Sequence, residues 1–451
     1  MTQQPPASPF QPDPGTSGGQ AGTAVVNGKP GDGKPDGGQS RIKLTGNVII
    51  EAIIYGSPVV ITILAIFLAL VVSALLIVFS DQNVLSAWNY FFAEPGHALS
   101  VTWHSIASAY SALFEGAIFS PSTISAAFHG GSVAAIFYPL SLTAFEATPL
   151  ILTGLSVAIA FRAGLFNIGA AGQFIGGACV AAWLGFAFHM PVGIHIVVCV
   201  IGALIGGAIM GWIVGYLKAR TGAHEVIITI MLNYVMYNVL NYLLSTPKAL
   251  QQPHQSNQIA PAIDRNAVFP HVGGPPPQAN VGFLIAVAAV FAVAWLLSRS
   301  TIGFQFRTVG ANPRAAKSAG MSVERSWIWV MLIAGALAGL AASTIVQGGG
   351  PPPPLNPNIY GTYGFDGITV ALLGRARPFG VLMAGLLFGA LQAGGTVMQA
   401  ATSPQVPVDI VEVIQGLIVL FVAAPPLIRA IFRLRAARTA GMEATAKGWN
   451  G

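Results

Sequence analysis

The chain has 451 residues, of which 54% are hydrophobic and only 8% charged, with 53 glycines and a formal net charge of +6. A soluble domain carries about 25% charged residues, so this composition, with its mean hydropathy of +0.67, excludes an ordinary water-soluble globule and disorder throughout. What remains is an all-α membrane protein, a polytopic bundle of transmembrane helices.

Within the stretch 1–50, residues 1–40 are rich in Gly, Pro, Gln, Ser and Asp and cannot bury enough apolar surface to offset the entropy of ordering. The stretch is expected to form a disordered cytoplasmic tail. The first long apolar run, Val59 to Phe79, begins too far along for a secretory signal, and no small-residue cleavage site follows it, so it is expected to stay as an anchor. At about 1.5 Å per residue it reaches about 32 Å, the thickness of a hydrocarbon core. Further candidate spans are Leu142–Phe161, Leu165–Phe188, Val192–Leu217, Val226–Leu244, Val281–Leu297, Ile328–Gln347, Phe365–Gly374, Val381–Met398 and Asp409–Ile428, about ten in all, one of them short or broken.

An even number of spans puts both termini on one side. With the termini in the cytoplasm, 19 of the 21 Lys and Arg residues fall inside and only Lys248 and Arg265 outside, as the positive-inside rule demands. Ser80 to Ser141 has no Lys or Arg and suits an outside loop, while 431–451 reads as a basic cytoplasmic tail.

Phe365–Gly374 is too short to cross alone and is expected to be broken or re-entrant, which membranes tolerate where protein or water covers the freed backbone. Nearby, TVALLGRARPFGV from Thr369 matches SVAIAFRAGLFNI from Ser156 at five of thirteen positions, a likeness that chance produces as readily as a repeat. Glycines four apart, at Gly172 and Gly176, Gly202 and Gly206, Gly207, Gly211 and Gly215, Gly335 and Gly339, and Gly385 and Gly389, predict close helix packing or surfaces that slide during transport.

Motifs for chemistry are missing. Gly28-Lys29 and Gly33-Lys34 are each followed by proline, so there is no phosphate loop, and the eight histidines form no HExxH pair. Cys179 and Cys199 lie in apolar runs with no CxxC, so no catalytic residue, metal site or disulfide framework is expected. The basic residues are scattered, with no aromatic-interleaved patch for nucleic acid. Glu146, Glu225, Asp366, Asp409 and Glu412 all sit near predicted span ends, so no carboxylate is placed to drive proton coupling and the energy is expected to come from elsewhere.

Two features are positive. In the fifth span, at about 100° per residue, Asn233, Tyr237 and Asn241 form one stripe and Tyr234, Asn238 and Tyr242 the adjacent one, opposite Leu232, Val235, Met236, Val239, Leu240 and Leu243. Such a face suits a path for a neutral polar solute, with rings for stacking and amides for hydrogen bonds, or equally hydrogen-bond glue between helices. Asn167 and Gln173 are weaker candidates of the same kind. The second feature is the interior loop 299–327, where Asn312 is a natural N-cap, Pro313 suits the first helical position and Gly320 closes the helix. This short alanine-rich helix either presents small residues to a cytosolic partner or is a connector held near anionic lipid.

These stretches, with TPLILTGLSVAIAFRAGLFNIGAAGQ from Thr148, EVIITIMLNYVMYNVLNYLL from Glu225, GANPRAAKSAGM from Gly310 and GFDGITVALLGRARPFGVLMAGLLFGAL from Gly364, resemble the permease subunit of bacterial ABC importers. The superfamily is that of branched-chain amino acid and simple-sugar permeases, and the closest likeness is to nucleoside and simple-sugar permeases working with basic membrane lipoproteins. It covers most of residues 142–430. The resemblance implies a permease domain over 51–430 in a bacterial plasma membrane, translocating a nucleoside or simple sugar-like solute. It implies as partners ATPase subunits that carry ATP and Mg, a second permease (paralogue or self), an extracytoplasmic substrate-binding lipoprotein and membrane lipid. Pro313, Arg314, Ala315, Ala316, Lys317, Ala319 and Gly320 then correspond to a coupling helix seated on the ATPase. Ala171 departs from the acidic residue that relatives often carry, so no role is transferred to it. The competing readings are an autonomous secondary carrier or facilitator for a neutral polar solute, and a membrane scaffold.

Overall fold

A computed structural model describes residues 58–433 apart from 248, 255–256, 272–277, 349–354 and 403–405, all within the unit formed by residues 50–451. The expected N-terminal tail (1–50), most of the basic C-terminal tail (434–451), Lys248 and the Gly349–Pro354 stretch lie outside the described residues. Helices dominate: α1 (Pro58–Ser80), α2 (Gln82–Trp88), α3 (Pro95–Ala117), α4 (Pro121–Phe128), α5 (Tyr138–Arg162), α6 (Ala170–Ala187), α7 (Ile194–Thr221) and α8 (Glu225–Ser245) are followed by α9 (Val281–Arg299), α10 (Thr301–Ala311), α11 (Pro313–Ser318), α12 (Val323–Val346), α13 (Tyr363–Leu373), α14 (Pro378–Ala401), α15 (Asp409–Ala423) and α16 (Pro425–Ile431).

The local signals explain many of the starts. Asn280, Ser300 and Ser322 each accept a backbone N–H at the head of α9, α10 and α12, and prolines open α3, α4, α5, α11, α14 and α16, where no helical N–H is needed. Among the described residues eight helices are long and apolar enough to cross a membrane, or nine if α15 and α16 count as one span.

Two of the predicted spans take a different form, and the one expected to be short is short. Asp409–Ile428 is not straight: α15 and α16 meet at 91°, because Ala424 leaves helical geometry and Pro425 cannot continue the ladder. The helix within Leu165–Phe188 starts only at Ala170, after 165–168 turn back along α5. That return is pinned by Asn167, whose Nδ2 donates to Ser156 Oγ at 3.2 Å. The short span is α13, whose 11 residues rise only about 16 Å.

Glycine sets how closely the inner helices approach. Along the α7–α12 seam, Gly207 faces Gly335 and Gly339, and a Cβ on Gly211 would collide with the Met331 carbonyl oxygen. Gly177 of α6 packs against the same Gly339, so three helices meet on backbone with almost no side chain between them. Around this seam α5 forms the centre, 78% of its most apolar stretch buried, whereas only 17% of the corresponding stretch of α8 is buried. Helix α8 therefore keeps a wide open face.

The region between Ser80 and Ser141, read as an outside loop, carries α2, α3 and α4. Helix α3 lies on the bundle: Tyr110 Oη donates to the Leu70 carbonyl at 2.6 Å, and Thr143 of α5 donates to the Ala117 carbonyl at 2.6 Å. Glu146 is displaced from the span end where it was expected, because α5 begins at Tyr138 and runs on past it.

Candidate translocation path and coupling loop

Helix α8 buries Met236, Leu240 and Leu244, while Val235 and Val239 of its apolar side stay exposed. Asn233 sits at the edge of that buried side: its Nδ2 donates to the Ile168 carbonyl at 2.9 Å and its Oδ1 accepts the Gly172 N–H at 2.8 Å. Asn167 and Gln173 are fully buried and bond each other in both directions, at 2.9 and 3.1 Å. These three amides fasten the α5–α6 turn to α8 and are closed to a passing solute in this conformation.

The adjacent stripe is open. Tyr234, Asn238 and Tyr242 are exposed beside Met231, Val235 and Val239, lining a shallow groove of about 520 Å³. Asn238 Nδ2 donates to the Tyr234 carbonyl and Asn241 Nδ2 to the Tyr237 carbonyl, at 2.7 and 3.0 Å, so each amide turns its donor back onto the helix. With both donors turned back, the exposed surface of the groove is mostly apolar, built of the tyrosine rings and the Met231, Val235 and Val239 side chains. Tyr237, between the two environments, meets the ring of Tyr360 edge-on at 5.9 Å.

Tyr360 belongs to a group that the sequence reading missed. The first turns of α6 and α13 touch, since a Cβ on Gly364 would lie 2.6 Å from the backbone nitrogen of Ala171. Phe174 and Tyr363, one on each helix, stack at 5.9 Å. Two helix starts thus converge inside the bundle beside α8, the arrangement of interrupted spans that transporters place around a solute path. The signal was the aromatic and glycine pattern Tyr360-Gly-Thr-Tyr363-Gly at the head of a span too short to cross.

In the loop 299–327 the short helix forms where the sequence predicts it, preceded by a helix the sequence reading missed, α10. Asn312 Oδ1 accepts the N–H groups of Arg314 and Ala315 at 3.0 and 3.1 Å, Pro313 opens α11, and Gly320 ends it with φ +80°. Pro313, Arg314, Ala315, Lys317, Ala319 and Gly320 are exposed. Ala316 is not: it is fully buried against Val309 of α10 and Val323 of α12, so it supports the small-residue surface from behind instead of forming part of it. The loop also touches the bundle, where a Cβ on Gly310 would strike the Arg162 carbonyl at the end of α5. Among the described residues no three His, Cys, Asp or Glu side chains lie together as a metal site.

A multi-span bundle with interrupted helices, an open amide-and-tyrosine face and a braced loop between spans has the form of a membrane transport subunit. Residues 139–423 match the family model described as the permease component of the branched-chain amino acid transport system, and the chain belongs to that family. It is similar to the guanosine ABC transporter permease protein NupP of Bacillus subtilis, 37% identical over 73% of this chain and 89% of that one. It is also similar to the nucleoside ABC transporter permease protein NupB of Lactococcus lactis, at 36% over 63% and 78%, and to the glucose ABC transporter permease protein TsgB13 of Haloferax volcanii, at 33% over 61% and 73%. No solved structure matches the chain.

Proposed function

We propose that this chain is the permease of an ATP-driven importer that brings a nucleoside, or a related sugar-like solute, across a bacterial plasma membrane. The observation that carries the reading is the loop 299–327, where α11 holds a small-residue surface outward on the buried Ala316. Pro313, Arg314, Ala315, Lys317, Ala319 and Gly320 form the seat for an ATPase subunit, on which ATP and Mg are bound and hydrolysed. Both termini are cytoplasmic, on the side of this loop, and a substrate-binding lipoprotein delivers solute from the other side.

The open stripe of α8 supports a second permease, paralogue or self, closing the path. Tyr234, Asn238, Tyr237 and Asn241 then line it, with phenol rings to stack on a base or sugar face and amides to replace the solute's water hydrogen bonds. Asn167, Gln173 and Asn233 hold this wall in place. The nucleoside and glucose transporters to which the related permeases belong support this class of solute.

Purification from the native membrane in mild detergent, with copurifying subunits identified by mass spectrometry, tests the reading. An ATPase with a phosphate loop and a second permease are the expected partners. Uptake that requires ATP and survives a protonophore supports the importer, whereas uptake abolished by a protonophore with ATP intact establishes the secondary carrier instead.

A further inference from the structure

Lys218 and Glu225 form a close ion pair between the end of α7 and the first residue of α8, with Nζ to Oε2 at 2.6 Å and side chains only 16% and 8% exposed. Each partner reaches a further element. Lys218 Nζ lies 4.8 Å from the ring centroid of Trp327, which closes the loop 299–327 one turn into α12 and packs on the Val309–Ala316–Val323 cluster behind α11. Glu225 Oε1 accepts the Phe166 N–H at 3.4 Å, in the extended turn between α5 and α6. His224 Nδ1 stands 3.9 Å from Glu225 Oε2 on the exposed side.

The elements so joined are the ones that must move together in an importer. Trp327 reports the position of α11. The Phe166 turn is fastened to the solute-path helix through Asn233, which holds both Ile168 and Gly172. A polar connection between these two ends runs from Trp327 to Lys218 to Glu225 to Phe166. The two charges are largely desolvated, so losing either partner leaves the other buried and uncompensated.

We propose that Lys218 and Glu225 are positioning residues that transmit displacement of α11 to α8 and to the α5–α6 turn, so that ATP hydrolysis is converted into opening of the path. This rests on the importer reading above. The pair contacts neither nucleotide nor solute. Its removal uncouples the two without abolishing either partner's binding.

The experiment uses the intact transporter complex in proteoliposomes, with guanosine uptake and ATP hydrolysis measured together. Lys218→Met and Glu225→Gln are each expected to lower solute moved per ATP by about tenfold while the complex still assembles and hydrolyses ATP. The double variant is expected to lose no more than either single one, as two ends of one connection do, and Lys218→Arg to restore coupling. Trp327→Leu, which leaves the ion pair in place, lowers the same ratio and covers the case in which a charge variant fails to fold. A normal ratio in assembled Lys218→Met and Trp327→Leu complexes overturns the transmission role alone. ATP-independent uptake by the unaltered protein overturns the importer reading, and this role with it.

Discussion

Arg162, in the last turn of α5, donates from Nε to the carbonyl oxygen of Ala376 at 2.9 Å, across 214 positions of sequence. The bond ties the end of the central helix to the turn between α13 and α14, where Arg375 and Ala376 hold φ values of +54° and +50°. Left-handed backbone costs a non-glycine residue about 1–2 kcal/mol. Ala376→Gly is therefore expected to raise the unfolding temperature of the detergent-solubilised protein. Arg162→Gln removes a charged donor and lowers stability by about 2 kcal/mol.

The glycine seam gives a sharper contrast. Gly211→Ala puts a methyl group against the Met331 carbonyl oxygen, with no flexible side chain to give way. Overpacking of this kind costs at least about 1–3 kcal/mol, and the variant is expected to lose monodisperse protein on size exclusion. Gly416, also helical, has nothing beyond its own stretch of helix within 4 Å of where a Cβ would stand, so Gly416→Ala should instead gain about 0.5–1 kcal/mol.

On α11 the two faces of one short helix separate seating from support. Ala315→Trp and Ala319→Trp place bulk on exposed positions and are expected to leave the folded permease intact while blocking uptake and capture of the ATPase. Ala316→Trp intrudes on the cluster with Val309 and Val323 and is expected to lower thermal stability as well. Normal ATPase capture by both exposed variants would remove the seating role of this surface.

The asparagines of α8 divide in the same way. Asn233→Leu strands the Ile168 carbonyl and the Gly172 N–H, at a cost of about 2 kcal/mol or more, and should be recovered in low yield. Asn238→Leu sits on the open groove, so folded yield and melting temperature stay unchanged while uptake falls. Equal loss of stability in both would assign the whole stripe to packing.

The sequence alone determined the membrane class, the boundaries of most spans and the capped helix at Asn312, because these follow from local composition, helical rise and backbone hydrogen bonds within a few residues. It also marked the polar face of α8 by period alone. It could not divide that face, since Asn233 and Asn238 are the same side chain on one helix and differ only in what stands opposite. The meeting of Tyr363 with Phe174, the Glu225–Phe166 bond and the hold of Asn233 on Ile168 and Gly172 join residues distant in the chain, and the burial of Ala316 joins three separate helices. Only the packing of whole helices, fixed by glycine contacts such as Gly207 on Gly335, brings those partners within reach.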